Sequence, residues 1–180
     1  MLYSMKYNSI IGELLLVEKD NFLIGVWMMN QKYFLGSENK SEEIIEKETN
    51  VLLQTKNWLD RYFNNENPSI NELPITFIGT EFRKEVWEIL AEIPYGEVIT
   101  YGEIAKKIAK KRKIDRMSSQ AVGGAVGHNP FTIIIPCHRV VGNNGNLTGY
   151  AGGLEKKIKL LTHEGLDMSK FFVPSKGTAL

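Results

Sequence analysis

The chain has 180 residues, 43% of them hydrophobic and 24% charged, with a net charge of +1, which suits one globular domain or two small ones. No apolar run approaches the roughly 20 residues needed to cross a bilayer, and Met1-Leu2-Tyr3-Ser4-Met5-Lys6 lacks the layout of a secretory signal. With Cys137 as its single cysteine, the chain can form neither an internal disulfide nor a multi-cysteine zinc site, and the expected compartment is reducing and cytoplasmic.

The first third reads as β. Leu14-Leu15-Leu16-Val17 and Phe22-Leu23-Ile24-Gly25-Val26-Trp27 flank the turn cluster Lys19-Asp20-Asn21, which predicts a hairpin, extended by a strand within residues 1–7. Ser41 is the expected cap of a helix over 42–63, where Ile44, Ile45, Val51, Leu52, Trp58, Leu59, Tyr62 and Phe63 recur at helical spacing. Asn64-Asn65-Glu66-Asn67-Pro68 ends it. A short strand, Ile75-Thr76-Phe77-Ile78, leads to Gly79, the expected domain boundary.

Beyond Gly79 the pattern turns helical. Thr80 starts a helix with Phe82, Val86, Ile89, Leu90 and Ile93 on one face, and Pro94-Tyr95-Gly96 breaks it. Thr100-Tyr101-Gly102-Glu103 has the form of a capping box for a helix to about Lys110. Ser118-Ser119 is a second cap, before a helix over 120–127, and two short helices joined by a turn resemble a helix-turn-helix. A last helix begins near Leu154 and closes at Leu160-Leu161-Thr162-His163-Glu164-Gly165. These segments divide the chain into domains over 1–78 and 79–168, with a tail over 169–180 that carries no motif.

The near-neutral total hides a split. Residues 1–78 carry 7 Lys/Arg against 11 Asp/Glu, and residues 79–168 carry 13 against 10. Lys106, Lys107, Lys110, Lys111, Arg112, Lys113 and Arg116 cluster with only Asp115 opposing, either as a solvated helix face or as a phosphate-binding strip. In the helix over 120–127, Gly123-Gly124 costs roughly 2 kcal/mol of helix propensity relative to alanine. Close helix packing explains that, and so does a thin face of Ala121, Gly123, Gly124 and Ala125 pressed against a nucleic-acid backbone.

Cys137 lies in Ile133-Ile134-Ile135-Pro136-Cys137-His138-Arg139-Val140. A lone cysteine in an apolar stretch is buried filler unless something stabilises its thiolate. His138 supplies an imidazole, and Pro136 stiffens the turn. Glu164, close to a helix C-terminus, opposes the helix dipole. That conflict points to a partner elsewhere, and His138 is the candidate, which makes a Cys–His–Glu relay.

Pro136-Cys137-His138-Arg139-Val140, with Gly127-His128-Asn129-Pro130 before it and the loop at 149–153 and Leu160 to Gly165 after it, resembles the O6-alkylguanine-DNA alkyltransferase family over about residues 80–165. The resemblance implies an α+β protein: an N-terminal ribonuclease-H-like α/β domain and a C-terminal all-α, winged-helix-like domain carrying the cysteine. It implies irreversible transfer of an alkyl group from O6 of guanine, and from O4 of thymine, to Cys137, once per molecule and without a cofactor. The damaged nucleotide is flipped out of double-stranded DNA from the minor groove, and the protein acts as a monomer with no membrane partner.

Carried over residue by residue, Cys137 is the nucleophile. His138 takes its proton through a water, and Glu164 holds the imidazole. Tyr101 donates to the guanine ring as charge develops. Asn129 ties the DNA-reading helix to the cysteine turn, and the carbonyls of Cys137 and Val140 accept from the guanine amine. Tyr150 walls the alkyl pocket, with Ala151 beside it, and Arg139 fixes the loop around the substrate. Ser118, Ser119, Gln120, Gly123 and Gly124 face DNA. Two positions depart from the pattern: Gln120 stands where many members have an arginine that fills the vacated base stack, and Ala151 where some have a serine. A single cysteine also leaves no material for the four-cysteine zinc domain of regulatory relatives. Two other readings of the residues are a winged-helix regulator with a sensing cysteine and a Cys-His hydrolase. No papain-like or caspase-like signature surrounds Cys137 to favour the hydrolase.

Overall fold

In the computed structural model, which describes residues 1–36 and 42–175, the chain begins with three antiparallel strands: β1 (Leu2–Ser9), β2 (Gly12–Lys19) and β3 (Phe22–Met28). Asp20 and Asn21, at φ 52° and 65°, make the two-residue turn between β2 and β3, the positive φ that matches the strand twist. Gly25 is required on β3 because a Cβ there would lie 2.0 Å from the Trp27 indole. A fourth strand, β4 (Ile44–Glu46), runs parallel to β1 and completes the order β3-β2-β1-β4. Leu2, Val17, Ile24 and Trp27 form a buried cluster with Ile44 and Ile78 packed on it.

Two expectations for this region are corrected. Residues 42–63 are not one helix. Ile44 and Ile45 pair with β1, and α1 (Asn50–Phe63) starts later, with Thr49 Oγ1 accepting from Leu52 N at 3.2 Å. The β-branched pair gains more from the sheet edge than from a helix, where branching at Cβ restricts the side chain. The expected cap, Ser41, lies outside the described residues. The segment Ile75 to Ile78 is not a strand but a single parallel bridge to Leu23. Pro74 and Thr76 bond Leu23, while Pro130 and Thr132 bond Val26 farther along the same edge, so two short segments share β3.

By Cα proximity the chain divides into Met1–Ile78 with Pro130–Ile134, and Gly79–Asn129 with the residues from Ile135 on. In the second unit α2 (Glu81–Ala91) is capped by Thr80 and buries Val86, Trp87 and Leu90. Trp87 Nε1 donates to Ala125 O of α4 (Ser119–Gly127) at 2.9 Å. The capping box opens α3 (Tyr101–Arg112): Thr100 N donates to Glu103 Oε2 at 2.7 Å and Glu103 N to Thr100 Oγ1 at 3.1 Å. Ser118 caps α4. A two-residue parallel pair, β5 (Ile99–Thr100) with β6 (Val140–Val141), and α5 (Leu154–His163) complete the unit. The architecture is mixed α+β, a sheet-bearing first unit and a mainly helical second one. Among the described residues, no helix is long and apolar enough to cross a membrane.

Candidate active site

Cys137 is presented by two tight turns in succession. Pro136, at φ −80° and ψ 65°, centres an inverse γ-turn in which Cys137 N donates to Ile135 O at 2.8 Å. A single helical turn, Cys137–Arg139, then delivers the chain to β6. Asn129, just past the end of α4, donates from Nδ2 to Ile135 O at 2.7 Å and so ties that helix to the approach to the cysteine. Cys137 is buried at 8% exposure.

Glu164 is the hub of the buried polar groups. Its Oε1 accepts from His138 Nε2 at 2.6 Å and Arg139 Nη2 at 2.9 Å, and its Oε2 accepts from Arg139 Nε at 2.8 Å and Gly96 N at 3.1 Å. Burial pushes the Glu164 carboxyl up, but the donors on His138 and Arg139 outweigh it and hold the group well below the usual carboxylate range. An ionised carboxylate at 2.6 Å places the proton of His138 on Nε2. Nδ1 is then the basic nitrogen, and it makes no hydrogen bond among the described residues. Burial lowers the His138 pKa, so the ring rests neutral, able to take a proton.

Burial raises the Cys137 thiol. The Asn129 side chain, the Lys157 charge and the backbone N–H groups of Cys137 and His138 pull it down by less, and the net direction is upward. The thiol is therefore protonated at rest and needs a base to become a nucleophile. Around it stand two tyrosines. Tyr101, at the start of α3, donates from its hydroxyl to Thr148 O at 3.2 Å, and its pKa is raised by burial and then by Cys137. Tyr150 has a buried hydroxyl that makes no hydrogen bond among the described residues, its pKa likewise raised by burial.

One residue of this site escaped the sequence reading. Lys157, on α5, is fully buried, and Nζ donates to the carbonyls of Val140, Thr148 and Gly149. Burial pushes its pKa down to about 8. The available signal was its place on the apolar face of α5, four residues before Leu161 and seven before Glu164.

Cys137, His138, Glu164, Arg139, Asn129, Tyr101 and Tyr150 thus gather at one buried site, and Val140 joins it through its carbonyl. That carbonyl already takes Lys157, and the Cys137 carbonyl takes Val140 N, leaving each a second lone pair. Arg139 spends its nitrogens on Glu164 and on Ile93 O, not on any open space around the thiol, because only a bidentate guanidinium balances a carboxylate this deeply buried. Ala151 is half-buried in the loop after Tyr150. Ser118, Ser119 and Gln120 are exposed on the first turn of α4, outside the network. The two glycines of α4 separate, as neighbours 100° apart on a helix must. Gly123 is buried on the inward side of α4, whereas a Cβ on Gly124 would meet nothing within 4 Å. Among the described residues no three His, Cys, Asp or Glu side chains gather as a metal ion requires.

Residues 2–77 match the ribonuclease-like domain of 6-O-methylguanine DNA methyltransferase, and residues 81–166 match the DNA binding domain of the same protein family. The methylated-DNA–protein-cysteine methyltransferase of Haemophilus influenzae is 37% identical over 164 residues, 91% of this chain and 86% of that protein. This chain belongs to the methylated-DNA–protein-cysteine methyltransferase family. The methyltransferase of Methanosarcina acetivorans is 52% identical over 107 residues, 59% of this chain and 65% of that one. Among solved structures of the family, Mycobacterium tuberculosis OGT in complex with DNA superposes with a TM-score of 0.77 at 34% identity, over 94% of each chain.

Proposed function

We propose that this methyltransferase-family chain repairs DNA by moving an alkyl group from O6 of guanine, and from O4 of thymine, onto Cys137. The observation that carries the reading is the single buried thiol beside a neutral histidine whose far nitrogen is held by an ionised Glu164. His138 Nδ1 takes the thiol proton through a water. The thiolate attacks the alkyl carbon, the C–S bond forms, and the C–O bond breaks with its electron pair going to guanine O6. Tyr101 hydrogen-bonds the ring as that charge develops, and the proton held by His138 goes to the departing base. The products are a thioether and an intact guanine, so each molecule acts once. No cofactor enters.

In this reading residues 1–78 are the ribonuclease-H-like domain, and residues 79–168 are the winged-helix-like domain that binds double-stranded DNA and transfers the alkyl group. The protein works as a cytoplasmic monomer. Asn129 links α4 to the cysteine turn, Tyr150 and Ala151 wall the alkyl group, and Arg139 holds the turn from behind. The exposed face of α4, with Ser118, Ser119, Gln120 and Gly124, approaches the backbone and the flipped nucleotide. The open space at Gly124 supports this, since nothing within the fold demands a glycine there. Incubating the protein with a duplex containing O6-methylguanine and measuring its intact mass tests the reading. One methyl group replaces one hydrogen on Cys137, and an unchanged mass sinks the proposal.

Gln120→Arg is expected to raise the transfer rate on duplex DNA, because arginine fills the space of a flipped base and adds a charge that glutamine lacks. Single-turnover kinetics on duplex and single-stranded oligonucleotides decide the cause. A gain confined to duplex supports stack filling, and an equal gain on both reduces position 120 to general electrostatics.

The basic strip on α3 is partly spent within the fold: Lys111 pairs with Glu88 at 3.4 Å and Arg112 with Glu85 at 2.9 Å. Lys106, Lys107, Lys110 and Lys113 are exposed and pair with no carboxylate among the described residues. Replacing Lys110 and Lys113 with Gln is expected to flatten the dependence of log Kd on log salt by roughly 0.9 for each phosphate that is no longer neutralised. The transfer rate at saturating DNA should stay at the parent value. An unchanged slope in a fluorescence titration assigns the strip to solvent.

A further inference from the structure

Ile133 is buried at 1% exposure and has a φ of 71°. For a β-branched residue that is a backbone outlier, because the Cβ is crowded by the following carbonyl oxygen. Among the described residues it is the one Val, Ile or Thr with positive φ, and Asp, Asn and Gly make up most of the others. Ile134 N donates to Thr132 O across it at 2.9 Å. Positive φ at the centre of such a bond marks a γ-turn of the rare, strained hand. A glycine would take this φ without cost. Strain of this kind persists only where the surrounding structure imposes it, and it gathers at functional sites.

What imposes it is the outer edge of β3. Val26 N donates to Pro130 O at 2.7 Å, and Thr132 N donates to Val26 O at 2.8 Å. Thr132 Oγ1 donates to Gln31 Oε1 at 3.2 Å, and the same oxygen accepts from Met28 N at 2.7 Å, so Gln31 ties the segment to the end of the strand. Phe131 is fully buried, with the Phe77 ring against it edge to face at 5.7 Å. Past the turn, Ile135 O accepts from Asn129 Nδ2 at 2.7 Å and from Cys137 N at 2.8 Å. Pro136 centres that second γ-turn, of the opposite hand. Between the anchored Thr132 and the thiol, bonded turns fix Ile133 and Pro136. The joints that remain are Ile134 and Ile135, both buried.

We propose that Ile133 is a positioning residue of the alkyl transfer: its strained turn, held on the β3 edge, stiffens the backbone that carries Cys137 and fixes the line along which the thiolate meets the alkyl carbon. The inference rests on the alkyl-transfer reading above. Displacement at a saturated carbon needs the sulfur, the carbon and the leaving oxygen in one line, so a small error of aim is costly. Ile133 acts through the backbone, four residues ahead of the thiol. A side chain held at this φ confines the backbone to a narrow well, whereas glycine would relieve the strain and release the aim together.

The test compares Ile133→Gly, Ile133→Ala, Ile133→Leu and the parent protein in thermal melting, in single-turnover transfer from an O6-methylguanine duplex, and in alkylation of Cys137 by iodoacetamide. Methylation of the parent is read first and checks the underlying reading separately. Gly and Ala lose the same buried side chain but for one methyl, and glycine ordinarily melts lower than alanine. At φ 71° that order is expected to invert, with the Tm of the Gly variant at or above that of the Ala variant. The limiting transfer rate of the Gly variant should fall about 10- to 100-fold, the scale of a misplaced reacting geometry, while its half-saturating DNA concentration stays at the parent value. Ile133→Leu keeps the volume and the imposed φ, and should recover most of the rate that Gly loses. Iodoacetamide brings its carbon from any direction, so the Gly variant should react with it at least as fast as the parent. A Gly variant with the parent limiting rate, or one melting below the Ala variant, overturns the proposal. So does an equal loss toward duplex and iodoacetamide, which would assign the effect to the ionisation of the thiol. If neither Gly nor Ala folds, Thr132→Val decides the matter, since it unties the segment from Gln31 at nearly the same volume. Its transfer is expected to slow about tenfold at unchanged DNA affinity, and the parent rate in that variant overturns the proposal.

Discussion

Cys137→Ser is expected to lower alkyl transfer by about 10⁴-fold or more, the scale on which loss of a nucleophile acts, with the Kd for duplex DNA unchanged. The reason lies in the pocket. Burial already holds the thiol in its protonated form, and His138, itself lowered by burial, is a base of limited strength. That pair can draw a proton from a thiol but not from a serine hydroxyl, whose pKa is far higher. Because the thiol is raised, the parent rate should climb with pH until the thiolate is fully formed. Quenched-flow transfer and intact mass provide the measurement, and a serine variant still transferring near the parent rate would identify another nucleophile.

Glu164→Ala is the substitution with the largest expected cost to the fold. It removes the partner of a buried guanidinium and of His138 together, and breaking a buried pair in this way costs about 3–5 kcal/mol. For a chain of this size that lowers Tm by roughly 10 °C or more. Arg139→Met combined with Glu164→Gln should recover much of the stability, since no uncompensated charge remains, while transfer stays slow because His138 has lost its anchor. The sign with pH follows from the depressed Glu164 pKa. Its contribution is present above the unfolded carboxylate value near 4.3 and is lost as pH falls toward the folded value, so acid destabilises the parent more than the Glu164→Gln chain. His138→Ala and Glu164→Gln should combine non-additively in transfer rate. Strict additivity in that cycle would separate the two residues and leave Glu164 a purely structural partner of Arg139.

Much of this molecule is legible from local chemistry. The turn at Asp20-Asn21, the box at Thr100 and Glu103, and the cap at Ser118 depend on a few neighbouring residues, and each occurs where those residues stand. The pairing of Glu164 with His138 was accessible from an acid at the wrong end of a helix dipole. Where the reading failed, the cause was non-local. Ile44 and Ile45 fit a helical period, yet the free edge of β1 claimed them. Ile75 to Ile78 has strand composition, but Pro130 to Thr132, more than fifty residues later, occupies the rest of the β3 edge.

The amino-acid sequence by itself determined the chemistry this chain can bring: one thiol, an adjoining imidazole, a carboxylate 27 residues beyond the thiol, and a motif specific enough to name a family. Those properties reside in residue identity and spacing. Tertiary structure alone decided how the charges are shared. Arg139 became the second partner of Glu164, Gly123 turned inward while Gly124 stayed open, and Lys157 left the solvent for three backbone carbonyls. A helix period shows which face a residue occupies. What waits opposite that face is set by segments distant in the chain, and burial there determines whether a charge is screened by water or held by the protein.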